Sequence, residues 1–239
     1  MCAELPSPQI RKKSIRTFVI RAGRTTEGQR KALEYGWPVV GLDLDLGQQG
    51  YSQAFQRSAP RVLEIGYGMG QSLLQMAEAE PGKDFIGIEV HPPGVGSLLL
   101  GAYDLVMSEV RLPNLKTYMA DATDVLRECV PIASLQRIQL YFPDPWPKKK
   151  HHKRRIVQPK LVELMAQRLE PGGVLHLATD WQPYAEWMME ILEAEPLLKN
   201  QVAAGEYAKR PEWRPATKFE KRGERLGHGV FDLIYRRQS

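Results

Sequence analysis

At 239 residues the chain has room for one α/β domain with added arms and a sizeable core. No uninterrupted apolar run approaches the roughly 18 residues of a membrane span, and no charged start followed by an apolar signal core opens the sequence, so a cytoplasmic protein is expected. Its two cysteines, Cys2 and Cys129, read as reduced thiols outside any disulfide framework or metal cluster, and its modest net charge of +5 is unevenly spread.

Residues 1–60 read as a basic arm and lead-in, of which the first 30 or so, polar and with Pro6 and Pro8 early, are expected to be mobile until they meet a partner. From residue 61 short apolar runs alternate with amphipathic ones, the pattern of a parallel sheet covered by helices. Strands are expected at 61–66, 84–90, 115–121, 137–143 and 173–180, with helices near 70–80, 95–111, 122–129 and 158–169. A further helix starts near Trp181 and ends before Pro196, and 229–237 reads as one more strand completing the sheet. Residues 61–239 are thus taken as one α/β domain.

In LEIGYGMG, Glu64 lies on the first strand, and Gly66, Gly68 and Gly70 alternate through the turn into the next helix. Glycine there lets the backbone take positive φ and approach a ligand closely. A dinucleotide fingerprint wants glycine or alanine three residues after Gly68, where this chain has Gln71, which argues against NAD. Glu89 ends the second strand, 19 residues after Gly70, where a carboxylate can accept from both ribose hydroxyls. Asp121 ends the third and can accept from an adenine amine. Its plainer reading is an N-cap.

The run LYFPDPWPKKKHHKRR (140–155) follows the fourth strand. Pro143 and Pro145 fix the backbone around Asp144, whose carboxylate accepts hydrogen bonds but does not donate them. That suits the N1 and N2 donors of guanine, whereas amino-directed nucleic acid methyltransferases place an Asn-Pro-Pro-aromatic sequence there. The cations behind it belong to a wider pattern. Eight basic residues against two acidic ones in 1–31, six against none in 148–155 and nine against four in 209–239 give +17, leaving −12 on the rest. Brought together, the three segments would face a polyanion; kept apart, they are solvated charge runs.

With these features in place, the chain resembles the tRNA (guanine-N7-)-methyltransferase family over nearly its whole length. LEIGYGMG, GIEVHPPGVG, PDPWPKKKHHKRR, ATDW (178–181), TKFEKRG (217–223) and LGHGVFDL (226–233) carry the likeness; the segment 97–111 is longer than the family pattern. The resemblance implies a class I methyltransferase (Rossmann-like) fold with a mostly parallel sheet, helices on both faces, a final antiparallel strand and a basic N-terminal arm. It implies S-adenosylmethionine as cofactor, S-adenosylhomocysteine as product, and tRNA as partner, with no metal, membrane or obligate protein partner. Glu64, Gly66, Gly68, Gly70, Glu89, Asp121 and Asp144 match the cofactor residues, and Asp144 also orients the base. Lys148, Asp180, Thr217, Lys218, Phe219 and Glu220 match the substrate residues; 217–220 would otherwise read as surface. Lys150, His151, His152, Lys153, Arg154 and Arg155 match the stretch credited with RNA contact.

Trp181 reads equally as a base-stacking ring and as a core aromatic at a helix start. His91, His151, His152, His176 and His228 have no metal-ligand spacing, and His176, alternating with apolar neighbours, reads as packed. No nucleophile–base pattern suggests covalent catalysis. A class I enzyme acting on another RNA or DNA base, or an RNA-binding protein keeping the fold without turnover, stays open, as does the oligomeric state, with a monomer favoured.

Overall fold

Thr26 opens the first helix through a capping box. In the computed structural model, which describes residues 5–10, 17–18, 24–216, 220 and 229–239, Thr26 Oγ1 accepts from the Gln29 amide at 3.3 Å and Gln29 Oε1 accepts from the Thr26 amide at 2.9 Å. Helix α1 (Glu27–Tyr35) follows, with two of its orphan N-terminal donors satisfied. The chain divides into two compact units, one running to Pro131 and the other comprising Ile132–Ser239 with a short earlier stretch that includes residues 17 and 18.

The first unit continues with α2 (Trp37–Val40), β1 (Gly41–Leu42) and α3 (Gly47–Gln53), in a lead-in where the sequence suggested no elements. Then come β2 (Arg61–Ile65), α4 (Gln71–Ala79), β3 (Asp84–Ile88), α5 (Pro92–Ala102), the hairpin β4 (Tyr103–Asp104) and β5 (Glu109–Val110), β6 (Leu115–Tyr118) and α6 (Ala122–Asp124), which runs into a π-helical turn over Val125–Cys129. Four strands pair in parallel in the order β1-β6-β3-β2. All of β3 is buried, as in a parallel strand covered on both faces. Leu33, Leu73, Met76, Phe85, Leu98 and Leu99 belong to the core. A Cβ on Gly96 would lie 2.8 Å from Gln29 Cβ, so glycine there lets α1 and α5 approach. Part of the expected arm, residues 1–4, 11–16 and 19–23, lies outside the described residues. Within the described part Gln9 is tied down: its amide donates to Met119 O at 2.8 Å and its side chain accepts from the Leu44 amide at 2.7 Å.

The helix expected over 95–111 needs correction: it starts earlier, with proline in its first turn, and stops at Ala102. Asp104 then draws the chain into a turn, Oδ1 accepting from the Val106 and Met107 amides at 2.8 and 3.0 Å and Oδ2 from Arg111. Such local bonds compete with helix. Arg111 and the two amides hold the Asp104 carboxyl down at about 2.

The second unit contains β7 (Leu135–Tyr141), a basic 3-10 turn (Lys149–Arg154), α7 (Pro159–Arg168), β8 (Leu169–Thr179), α8 (Gln182–Glu193), β9 (Leu198–Asn200) and β10 (Phe231–Arg237). Its strand order is β7-β8-β10-β9, with β7 and β8 parallel and β10 antiparallel to both neighbours. The strand expected from residue 173 begins at Leu169, and a register shift between Leu135 and Arg137 accommodates the Pro-Gly-Gly run. Among the described residues no helix is long and apolar enough to cross a membrane.

Candidate functional site

In the first unit the turn after β2 depends on left-handed glycines: Gly66, Gly68 and Gly70 have φ of 72°, 60° and 79°. A Cβ on Gly66 or Gly68 would meet nothing within 4 Å, so backbone conformation, with open space beside it, requires glycine there. Glu89 follows the end of β3 and staples this turn. Its Oε2 accepts from the Gly68 amide at 2.9 Å, and its Oε1 from the amides of Val90 and His91 at 2.6 and 3.1 Å. A carboxylate has about four acceptor positions, so three amide bonds leave capacity for a hydroxyl donor. Gly94 presses on the same turn; a Cβ there would lie 2.4 Å from Gly68 O.

Glu64 is buried near the end of β2, and Asp121, also buried, follows β6. Asp121 Oδ1 accepts from the Thr123 amide at 2.8 Å, so the capping role is realised. Tyr67, whose hydroxyl hydrogen-bonds Thr117 Oγ1 at 2.8 Å, is held neutral by burial and by the charges of Glu89 and Glu64. A Cβ on Gly87 would strike its ring at 2.5 Å. Neither Tyr67 nor Gly87 was expected at the site; the signal missed is a glycine inside an otherwise apolar strand.

These residues fit an uncharged nucleoside with a cationic tail and do not fit a dinucleotide. The Gly68 amide that a pyrophosphate would need is already held by Glu89, and a phosphate there would face that carboxylate. Three acids lie at the carboxyl ends of parallel strands, where open α/β sheets bind ligands.

In the second unit β7 leads into the reactive loop. The Phe142 amide still pairs with Ala178 O at 2.8 Å, but Phe142 takes φ 48° and Trp146 φ 44°. Left-handed conformations in bulky residues cost on the order of 1–3 kcal/mol each and collect at functional sites. They bracket Pro143-Asp144-Pro145, and Asp144 is exposed. No sequence signal marks either strain, because aromatic residues rarely adopt this geometry.

The basic turn is clamped from behind. Arg155 is buried, its Nε donating to Pro145 O at 2.9 Å and its guanidinium lying 4.8 and 5.2 Å from the Tyr184 and Trp187 ring centres. Where the resemblance implied an RNA-facing cation, this side chain instead positions the loop. Gln158 Nε2 donates to the carbonyls of His152 and Arg155, closing the turn. Lys148, Lys149, Lys150 and Lys153 are exposed. Arg154 stacks on Trp146 at 4.0 Å, and the His151 ring meets the same indole edge-on at 5.8 Å. Desolvation and four neighbouring cations hold His151 below the usual imidazole range, so at neutral pH it adds a hydrogen-bonding group and no charge.

Asp180, after β8, is exposed, and Trp181 is 42% exposed, which removes the core reading of that ring. Thr217, Lys218 and Phe219 lie outside the described residues, as does His228. Glu220 is buried in a two-pronged ion pair with Arg214, at 2.7 and 2.8 Å. His176 is not merely packed: it bonds Asp232 at 2.7 Å and Tyr141 at 2.9 Å. No group of three or more His, Cys, Asp or Glu among the described residues is arranged to hold a metal ion.

Residues 58–233 match the family described as "Putative methyltransferase". The tRNA (guanine-N(7)-)-methyltransferase of Alcanivorax borkumensis is 56% identical over 95% of this chain and 93% of its own length. That of Ectopseudomonas mendocina is 55% identical over 99% of this chain and 97% of its own. The chain belongs to the tRNA (guanine-N7-)-methyltransferase family. The crystal structure of the 16S rRNA methyltransferase KamB, 16% identical, superposes with a TM-score of 0.56 over 80% of this chain and 94% of that one. At that identity the likeness speaks for the fold, a class I methyltransferase fold with mostly parallel strands and a last antiparallel one. Within the family frame, the first unit carries the residues matched to the cofactor, apart from Asp144, and the second carries Asp144 and the described residues matched to tRNA.

Proposed function

We propose that this protein transfers a methyl group from S-adenosylmethionine to N7 of a guanosine in the variable loop of tRNA. The observation that carries the reading is Asp144, an exposed carboxylate fixed between two prolines and two strained aromatic residues, followed by a lysine-rich turn. The near full-length relatives named for this reaction support it.

Bound S-adenosylmethionine supplies an activated methyl on a sulfonium. In the first unit Glu89 accepts from a ribose hydroxyl, Asp121 from the adenine, and Glu64 offers negative charge to the cationic end. Guanine N7 carries an in-plane lone pair and no proton, so no general base is needed and catalysis is positioning and charge placement. Asp144 accepts from the Watson–Crick edge of the base and stabilises the positive charge the ring acquires. Asp180 and Trp181, both exposed, hold or stack the base, with Lys148, Thr217, Lys218, Phe219 and Glu220 as further substrate residues. Lys149, Lys150, Lys153 and Arg154 neutralise phosphates. We place the protein in the cytoplasm with its tRNA.

Incubating bulk tRNA with labelled cofactor and mapping the modified nucleoside tests the reading. It expects 7-methylguanosine in the variable loop. A methylated exocyclic amine would assign another target, and tight tRNA binding with no transfer in a single turnover would make the chain a binding protein. Asp144→Ala and Asp144→Asn should both lose methylation while keeping the fold; near-parental turnover by Asp144→Asn would show that negative charge is not required.

A further inference from the structure

One face of β7, β8 and β10 departs from the apolar pattern of a sheet interior. Tyr141, His176 and Asp232 lie on it, with Arg137 and Gln139 beside them, and all five are buried. Trp213 and Arg214 cover this face. The Trp213 indole N–H, which can only donate, points at His176 Nδ1 at 3.3 Å, so that nitrogen is the acceptor and also takes the Tyr141 hydroxyl. The proton then sits on Nε2 and is donated to Asp232 Oδ1. Burial, reinforced by the charges of Arg214 and Arg137, keeps His176 neutral against the pull of Asp232.

Arg214 is the hub. Its Nε and Nη2 donate to the two Asp232 oxygens at 2.8 and 2.9 Å, and its Nη1 and Nη2 to the two Glu220 oxygens at 2.8 and 2.7 Å. Its guanidinium also lies 5.8 Å from the ring centre of Phe142, the left-handed residue at the root of the Asp144 loop. One planar group thus touches the antiparallel strand, the substrate carboxylate and the reactive loop. Replacing a buried ion pair by apolar packing is often neutral for stability, so stability alone does not account for such a cluster. A rigid fork holding two carboxylates in fixed geometry does.

We propose that Arg214 is a positioning residue for methyl transfer, acting through Glu220 and the root of the Asp144 loop and itself oriented by Asp232, which His176 holds in turn. This rests on the reading above, in which Asp144 meets the tRNA base and Glu220 is a substrate residue. Arg214→Lys keeps the charge and removes the fork. Turnover of tRNA under saturating conditions should fall at least about 30-fold, while the Kd for S-adenosylhomocysteine stays within about twofold; these are order-of-magnitude expectations for a misplaced reacting group. In the double variant with Glu220→Gln the loss should be no larger than that of the worse single variant, because both act through one ion pair. Asp232→Asn should give the same turnover-selective loss and carries the comparison if Arg214→Lys does not fold. Parent-like turnover of Arg214→Lys, losses that multiply in the double variant, or losses that track weakened cofactor binding would overturn the proposal. Full activity of Glu220→Gln in a protein that forms 7-methylguanosine would overturn it alone. A parent that forms none would overturn the functional reading as well.

Discussion

Glu89→Gln should weaken cofactor binding and loosen the glycine turn together, because on the proposed reading one carboxylate serves both. In the parent three backbone amides, of Gly68, Val90 and His91, donate to its two oxygens. A glutamine side chain offers one acceptor oxygen. Oriented to keep Val90 and His91, it sets its NH2 against the Gly68 N–H, donor against donor. The opposite orientation gives up two bonds, so the first prevails. It leaves one amide unpaired, at about 1–3 kcal/mol, and turns two charge-assisted bonds into neutral ones, at about 1 kcal/mol each. Relaxation of the turn toward water lowers the total, and we expect about 2–4 kcal/mol shared between stability and ligand affinity. A cofactor share of about 1–3 kcal/mol corresponds to a roughly 5- to 150-fold rise in Kd. Calorimetry with S-adenosylhomocysteine and amide exchange across the turn read the two parts, while tRNA affinity stays near the parent's. A Kd within twofold of the parent, with unchanged protection of the Gly68 amide, would refute the assignment.

The exposed triple variant Lys149→Ala, Lys150→Ala, Lys153→Ala should lower the salt slope of log tRNA affinity by about 0.7–0.9 for each phosphate that is no longer neutralised, without changing which nucleoside is methylated; filter binding across a salt series checks it. Arg155→Ala should instead act on folding, costing about 3 kcal/mol by leaving the Pro145 carbonyl unpaired and a void against Tyr184 and Trp187, which denaturant unfolding would show. His176 gives a pH dependence of defined sign. Burial holds its folded pKa below the usual value near 6.5, so the unfolded chain takes up a proton that the folded chain refuses. Stability should therefore fall as pH drops through about 6.5 toward the lower folded value, and His176→Gln should flatten that slope between about pH 7 and 5 in urea titrations.

Much of this architecture is written in short-range pattern. The runs that became β2 and β3 are largely apolar because parallel strands are covered on both faces, and the acids near their ends are visible by position alone. The glycine turn was legible because only glycine enters the left-handed region freely. The hairpin at 103–110 was not: a helical apolar run continues to Ala102, and the stop comes from Asp104, whose bonds to Val106, Met107 and Arg111 exist only once the turn has formed. The lead-in hid its elements for another reason. A two-residue strand such as β1 carries no period, and only its pairing with β6 makes it a strand.

The basic run shows where charge counting stops being informative. Lys148 through Arg155 read as one cationic stretch, yet the structure divides it by what lies behind each side chain. Tyr184 and Trp187, on a helix some thirty residues away, draw Arg155 inward, and its bond to Pro145 O turns a cation into a brace for the Asp144 loop. Its neighbour Arg154 stacks on Trp146, while the lysines stay in water. Arg214 repeats the division in another basic segment, where two buried carboxylates claim it. Arginine suits this double use because its planar fork holds fixed geometry while its charge is only weakly hydrated, and lysine does not. In the run 148–155 the exposed lysines are then the residues to neutralise when RNA affinity is in question, Arg155 is the one to alter when folding is, and Arg214 the one to alter when turnover is.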